Sequence, residues 1–267
     1  MSKKIEKNEK GIIKISVRDL VEFILREGDI DNRRGHGTSA EAMLAGGRIH
    51  RKIQKRMGSN YHAEVPLKIA IEEEEYQLVI EGRADGILIE SAEEEITFAD
   101  NFNHMTMPSD CKVTIDEIKG MYMKLDLLED AVGVHLAQAM CYAYIYALQH
   151  DLAAISVQMT YCNLDTEDIR YFHYDYTFEE LADWFEKLIN EYKKWADFQF
   201  AWKKLRQASI KPLQFPFPYR EGQKELAAGV YRTISRKKNL FIQAPTGAGK
   251  TISTVFPAVK AVGEDLA

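Results

Sequence analysis

Thr114-Ile115-Asp116-Glu117-Ile118-Lys119-Gly120 is the stretch on which the reading of this chain turns. Period-two alternation makes Lys112 to Ile118 a strand, and alternate residues of a strand share a face. Glu117 and Lys119 therefore point the same way, and Asp116 points to the opposite face. A carboxylate and an ammonium two residues apart on one face suit phosphodiester hydrolysis. The carboxylate can hold Mg²⁺ or Mn²⁺, and the lysine can position or polarise the attacking water. An isolated Glu-x-Lys is common on surface strands, so its surroundings decide what it means.

Upstream lies Glu81-Gly82-Arg83-Ala84-Asp85-Gly86-Ile87, a strand interrupted by glycines with a carboxylate in the break. Glycine inside a strand marks a bulge or a close backbone approach. Asp85 is a second oxygen ligand on this reading, and Glu64 is a weaker acidic candidate nearby. Further upstream, His50 follows Gly46 and Gly47 on a helix. Two helical glycines cost about 1 kcal/mol each relative to alanine, and they leave room for another element beside the histidine. Downstream, Gln138 and Tyr142 stand at i, i+4 on one helix face.

The remaining pattern supplies the frame. Ser16 and Asp19 open a helix as a capping box, and Gly28 to Gly37 reads as a loop. Thr38 with Glu41 starts a second helix running to about Met57. Val65, Leu67, Ile69 and Ile71 alternate in one strand; Leu78 and Ile80 lead a second, through Asp85, to Ile89, with Glu72 to Glu75 as the turn. Ser91 to Asp110 reads as a loop before the Glu117 strand. Helical spacing returns from Val134 to Gln149, and 153–162 with 169–176 form a hairpin around Asn163-Leu164-Asp165-Thr166. Thr177 and Glu180 cap a long helix toward Gln207, whose Trp184, Phe185, Tyr192, Trp195 and Trp202 are read as packing residues. This order predicts an α/β domain with a mixed sheet rather than regular βαβ winding.

Taken in order, His50, Asp85, Glu117-x-Lys119 and Gln138-x-x-x-Tyr142 resemble the RecB-type branch of the PD-(D/E)XK nucleases, over roughly residues 15–205. The resemblance implies a restriction-endonuclease-like core, a mixed central sheet flanked by helices, with the metal in the fork of the sheet. It implies His50, Asp85 and Glu117 as metal ligands, with the Ile118 carbonyl as a further one. Lys119 is then the catalytic lysine, and Gln138 and Tyr142 orient it or touch DNA. Several relatives hold an iron–sulfur cluster on four cysteines. Cys111, Cys141 and Cys162 form no Cys-x-x-Cys pair, so no cluster is expected in this segment.

A second motif stands near the C-terminus. Ala244-Pro245-Thr246-Gly247-Ala248-Gly249-Lys250-Thr251 follows an apolar segment, Leu240 to Gln243, read as a strand, and precedes a helix. That is the context of a phosphate-binding loop: amides cradle phosphates, Lys250 reaches the β- and γ-phosphates, and the Thr251 hydroxyl goes to Mg²⁺. With Phe217-Pro218-Tyr219-Arg220-Glu221-Gly222-Gln223 before it, the segment resembles superfamily two helicases of the XPD/DinG type. The resemblance implies ATP contacts from Arg220, Gln223, Gly247, Gly249, Lys250 and Thr251. Residues 1–207 are thus expected to be the nuclease domain, 208–218 a proline-bearing linker and 219–267 the start of a RecA-like helicase lobe. No Asp-Glu-x-His segment, second lobe or arginine finger follows. The expectation is that this chain alone neither hydrolyses ATP efficiently nor unwinds DNA.

Composition sets the outer bounds. The formal charge of −6 argues against general polyanion binding, yet a local stripe of Arg48, Arg51, Lys52, Lys55 and Arg56 can still contact a DNA backbone. No apolar run approaches a membrane span, and the N-terminus lacks the apolar core of a signal peptide. Scattered cysteines suit a reducing, cytoplasmic setting. The functional expectation is a metal-dependent nuclease acting on single-stranded DNA or DNA ends in repair or recombination, in cis to a helicase. Two alternatives stay open: a DNA-binding or docking domain without catalysis, and nucleotide binding alone.

Overall fold

The computed structural model describes residues 10–26, 40–90 and 111–265. The expected loops at Gly28–Gly37 and Ser91–Asp110, and the helix start at Thr38, lie outside the described residues. The chain divides into two compact units, Met1–Lys194 and Trp195–Ala267, and the division falls inside one long helix.

The first unit is a mixed α/β fold around a central six-stranded sheet. Its strands are β1 (Gly11–Ser16), β2 (Tyr61–Glu72), β3 (Tyr76–Glu90), β4 (Lys112–Met121), β5 (Ala154–Asn163) and β6 (Ile169–Thr177). The helices are α1 (Val17–Ile24), α2 (Ala40–Gln54), α3 (Gly133–Gln149) and α4 (Phe178–Ile210). β1–β3 and β4–β5 are parallel pairs; β2–β3, β3–β4 and β5–β6 are antiparallel. The β5–β6 hairpin and the turn between β2 and β3 lie where the sequence pattern puts them.

Strand β3 organises the sheet. β2 occupies one of its edges along almost its whole length. Its other edge is shared: β1 pairs with Tyr76–Glu81, and β4 pairs with Gly86–Glu90. Between them, Gly82 to Asp85 have no ladder partner on that edge. Beyond Asp116, β4 leaves β3 and pairs only with β5. The sheet therefore forks at Asp85, with Glu117 at the root of the diverging strand.

Alternation along β4 and β5 sends two residue sets to opposite faces. Ile118 and Cys162 pack with Ile49 and Ile53 of α2. The face carrying Ile115, Glu117 and Lys119 packs against α3, which in turn contacts α1. Helix α1 opens as expected, the Ser16 hydroxyl accepting from the Asp19 amide at 3.0 Å. Thr177 and Glu180 cap α4 reciprocally. Each such cap contributes about 1 kcal/mol.

Several expectations need correction. β1 was not anticipated, although it is what delivers the first turn of α1 to the fork. β3 is one strand through its glycines, and its ladder with β2 lacks a pair only at Asp85, opposite the left-handed Glu64. Helix α4 continues through Ile210, into the stretch expected to be linker. Its aromatics are not all packing residues: Phe185 and Tyr192 are buried, but Trp195 and Trp202 are about half exposed, at 50% and 51%.

The second unit contains the end of α4, then α5 (Gln223–Ser235) and α6 (Lys250–Gly263), which pack together. Leu240–Gln243 is not a strand, contrary to expectation. A strand exists only by pairing with another edge, and none of the described strands pairs with this segment. Phe241 is correspondingly 96% exposed. Among the described residues, no helix is long and apolar enough to cross a membrane.

Candidate functional site

The fork brings His50, Asp85, Glu117 and Lys119 together. Asp85 sits where β3 lacks a ladder partner, and its side chain fills the gap. One carboxylate oxygen accepts the Ile118 amide at 2.8 Å, and the other lies 3.3 Å from Nδ1 of His50. Burial pulls the His50 pKa down, but the Asp85 hydrogen bond and charge outweigh it and leave it raised. The His50–Asp85 pair thus closes the fork from the α2 side.

Glu117 is 1% exposed, and one of its oxygens is 2.7 Å from Lys119 Nζ. The other, Oε2, is buried with no hydrogen-bond partner. Burial and the neighbouring Asp85 charge push this carboxyl up to about 8, against the pull of Lys119. Asp85 and Glu117 crowd two carboxyl groups together, and Lys119 and His50 offset their repulsion only in part, since the Glu117 carboxyl remains raised.

Lys119 is held from both sides. Gln138 Oε1 accepts from Nζ at 3.1 Å, and Gln138 also hydrogen-bonds the Tyr142 hydroxyl, whose pKa is raised chiefly by burial. Tyr142 can reach this position because Gly82 has no side chain: a Cβ there would lie 2.6 Å from its hydroxyl. Tyr61 crosses Gly86 in the same way on the opposite face. Its hydroxyl donates to Asp116 at 2.8 Å, and Thr160 and Gln158 also donate to that carboxylate. Asp116 is thus consumed by a buried structural network, on the face away from Glu117. The glycines of the Asp85 strand mark close approaches by two tyrosine rings.

Other expected residues lie around this centre. Among the described residues no neighbour uses the room at Gly46 and Gly47: a Cβ on Gly46 would meet no atom within 4 Å, and one on Gly47 only its own helix's Arg51 at 4.0 Å. Glu64 adopts a left-handed φ of 59° and pairs with Arg83 at 2.7 Å, while Gln54 bridges it to the Asp85 carbonyl. Arg48 and Arg51 are exposed on α2 and Lys55 and Arg56 in the turn after it, whereas Lys52 is paired with Glu167. Among the described residues, no three His, Cys, Asp or Glu side chains already stand close enough to hold a metal ion. Cys141 and Cys162 are buried free thiols.

Gly247 and Gly249 have φ of 82° and 71°, and α6 begins at Lys250. Lys250 Nζ folds back onto the carbonyls of Ala244 and Pro245 at 3.0 and 3.2 Å. Arg220 donates to the Gly247 carbonyl at 2.7 Å. Gln223 is buried, accepting the Arg220 amide and donating to the Ala248 carbonyl. Arg220 and Gln223 thereby brace the loop directly. Thr251, exposed, follows in the first turn of α6.

No protein-family model matches the chain. Over 47 residues, 17% of its length, it is 45% identical to a probable ATP-dependent helicase of Methanocaldococcus jannaschii. The matched stretch is 7% of that helicase, so the link to a helicase is local. Among solved structures, the crystal structure of SSO0001 aligns with 70% of this chain and 78% of its own, at 16% identity and a TM-score of 0.37.

Proposed function

We propose that the fork is the active site of a divalent-metal-dependent DNA nuclease of the PD-(D/E)XK type, with a restriction-endonuclease-like core. The observation that carries this reading is the buried, unpartnered Glu117 Oε2, set beside Lys119 and Asp85 where the sheet divides. A buried carboxyl oxygen with no donor is costly to ionise, and Glu117 stays protonated unless a cation reaches it. His50, Asp85 and Glu117, with the Ile118 carbonyl, would hold Mg²⁺ or Mn²⁺. When bound, such an ion supplies Lewis acidity at the phosphoryl oxygen and a more acidic attacking water.

The chain's own groups do the rest. Lys119 orients the water and balances charge developing on the phosphate. Gln138 and Tyr142 restrain Lys119, so less of its freedom is lost in the transition state. The exposed cations of α2 grip the backbone of single-stranded DNA or DNA ends, in repair or recombination. Wild-type protein is expected to cleave end-labelled single-stranded DNA in Mn²⁺ and to stop in EDTA. Cleavage that persists in EDTA removes the metal from the account.

We further infer that the loop Ala244–Thr251 binds the phosphates of ATP as part of a helicase motor, a reading supported by its left-handed glycines and the local helicase likeness. Lys250 must then exchange its carbonyl contacts for phosphate oxygens. Lys250→Ala is expected to weaken labelled-ATP binding by roughly tenfold or more. Equal affinities in a filter-binding titration contradict the assignment.

A further inference from the structure

We propose, resting on the nuclease reading, that His135 is a substrate-contacting residue whose Nε2–H donates to a phosphate of the nucleic acid flanking the scissile one. His135, Gln138 and Tyr142 stand at i, i+3 and i+7 of α3 and share a face. Gln138 is the residue that holds Lys119. In the sheet beneath, Tyr161 pairs with Lys119 across β4 and β5, so it is Lys119's immediate neighbour on the same face. Its hydroxyl accepts the Val132 amide at 3.0 Å and lies 3.2 Å from Nδ1 of His135. Strand register and helix periodicity, two independent constraints, thus place His135 against Tyr161, the strand neighbour of the lysine.

The hydrogen bonds then define the ring's chemistry. Tyr161 is fully buried, and a buried phenol donates its single proton to an acceptor within reach. We assign His135 Nδ1 as that acceptor, the ring nitrogen within 3.2 Å. A neutral imidazole accepting at Nδ1 carries its proton on Nε2. Burial, with the charges of Lys119 and Arg18 against the weaker opposing pull of Glu22, pushes the imidazole down to about 4. The ring is neutral at neutral pH, which excludes it as a general acid and leaves it a fixed N–H donor. Lys119 and Arg18, each also paired with a glutamate, put positive charge near the ring. A DNA strand seated at Lys119 carries its next phosphates past this donor, because successive phosphates lie only a few ångströms apart.

The test uses full-length protein, Mn²⁺ and end-labelled single-stranded oligonucleotides in which one linkage at a time is a neutral methylphosphonate. With wild type, one flanking linkage is expected to raise KM about tenfold while kcat changes little. His135→Ala is expected to raise KM on native DNA by the same factor, to respond little to that modified linkage, and to be partly rescued as His135→Gln. A purely structural role would not produce this non-additivity. The proposal is overturned if no flanking linkage affects wild type, a result that needs no variant to fold, or if His135→Ala and the modified linkage act additively. Failure of wild type to cut any oligonucleotide sinks the nuclease reading as well; cutting with an unchanged KM in His135→Ala sinks only this inference.

Discussion

Lys119→Gln is expected to lower kcat for single-stranded DNA cleavage by about 10²–10⁴-fold, the range over which a positioned proton-handling group acts. Glutamine keeps neutral hydrogen bonding toward Gln138 and Glu117 but removes the charge, so the fold is not asked to bury Glu117 beside an empty space. Mn²⁺ affinity should change little, because Lys119 holds no metal. Gln138→Ala removes one of the two groups that hold the lysine, at 3.1 Å, and leaves its ion pair with Glu117 in place. It should cost about tenfold, the loss of one ordinary hydrogen bond. Quenched-flow cleavage under saturating Mn²⁺ checks both. A Lys119→Gln rate within threefold of wild type would remove the lysine from the chemistry.

Gly86→Ala should unfold the protein at a much lower temperature. An alanine Cβ would lie 1.9 Å from the Tyr61 hydroxyl and 2.0 Å from Cζ. Tyr61 cannot swing aside cheaply: it is 8% exposed and anchored to Asp116 at 2.8 Å. Overpacking costs about 1–3 kcal/mol, and leaving Asp116 short of a donor about 1–3 kcal/mol more. At roughly 2–4 °C per kcal/mol for a domain of this size, the midpoint falls by about 5–20 °C. Gly46→Ala makes the contrasting control, since its new Cβ meets nothing described within 4 Å. Relief of the helical glycine penalty should stabilise it by up to about 1 kcal/mol. Differential scanning calorimetry separates the two, and equal midpoints would contradict the account of Gly86.

What could be read from the chain alone was mostly local. Ser16 with Asp19 and Thr177 with Glu180 declare their helices because a cap is a bond between residues three apart. Glu117 and Lys119 share a face because alternation is a property of one strand. What escaped is non-local. Gly11–Ser16 is short, sits directly against a helix and leaves Ile12 63% exposed, so nothing in its pattern announces a parallel partner in β3. The glycines around Asp85 signalled a close approach, but only the folded register says that Tyr61 and Tyr142 make it. Leu240–Gln243 shows the reverse failure: strand composition without a described edge to pair with. His135 gave no signal, because one histidine in a helix is unremarkable until the β4–β5 register sets Tyr161 between it and Lys119.

All of the chemistry proposed rests on a cation at the sheet fork. The direct measurement is a crystal soaked in Mn²⁺ and recorded with anomalous scattering. The account predicts a peak within ligand distance of Asp85 and Glu117, with His50 and the Ile118 carbonyl completing the protein ligands. It also predicts the peak's loss in Asp85→Ala. A fork without a peak at saturating Mn²⁺, or a peak that survives in Asp85→Ala, contradicts it.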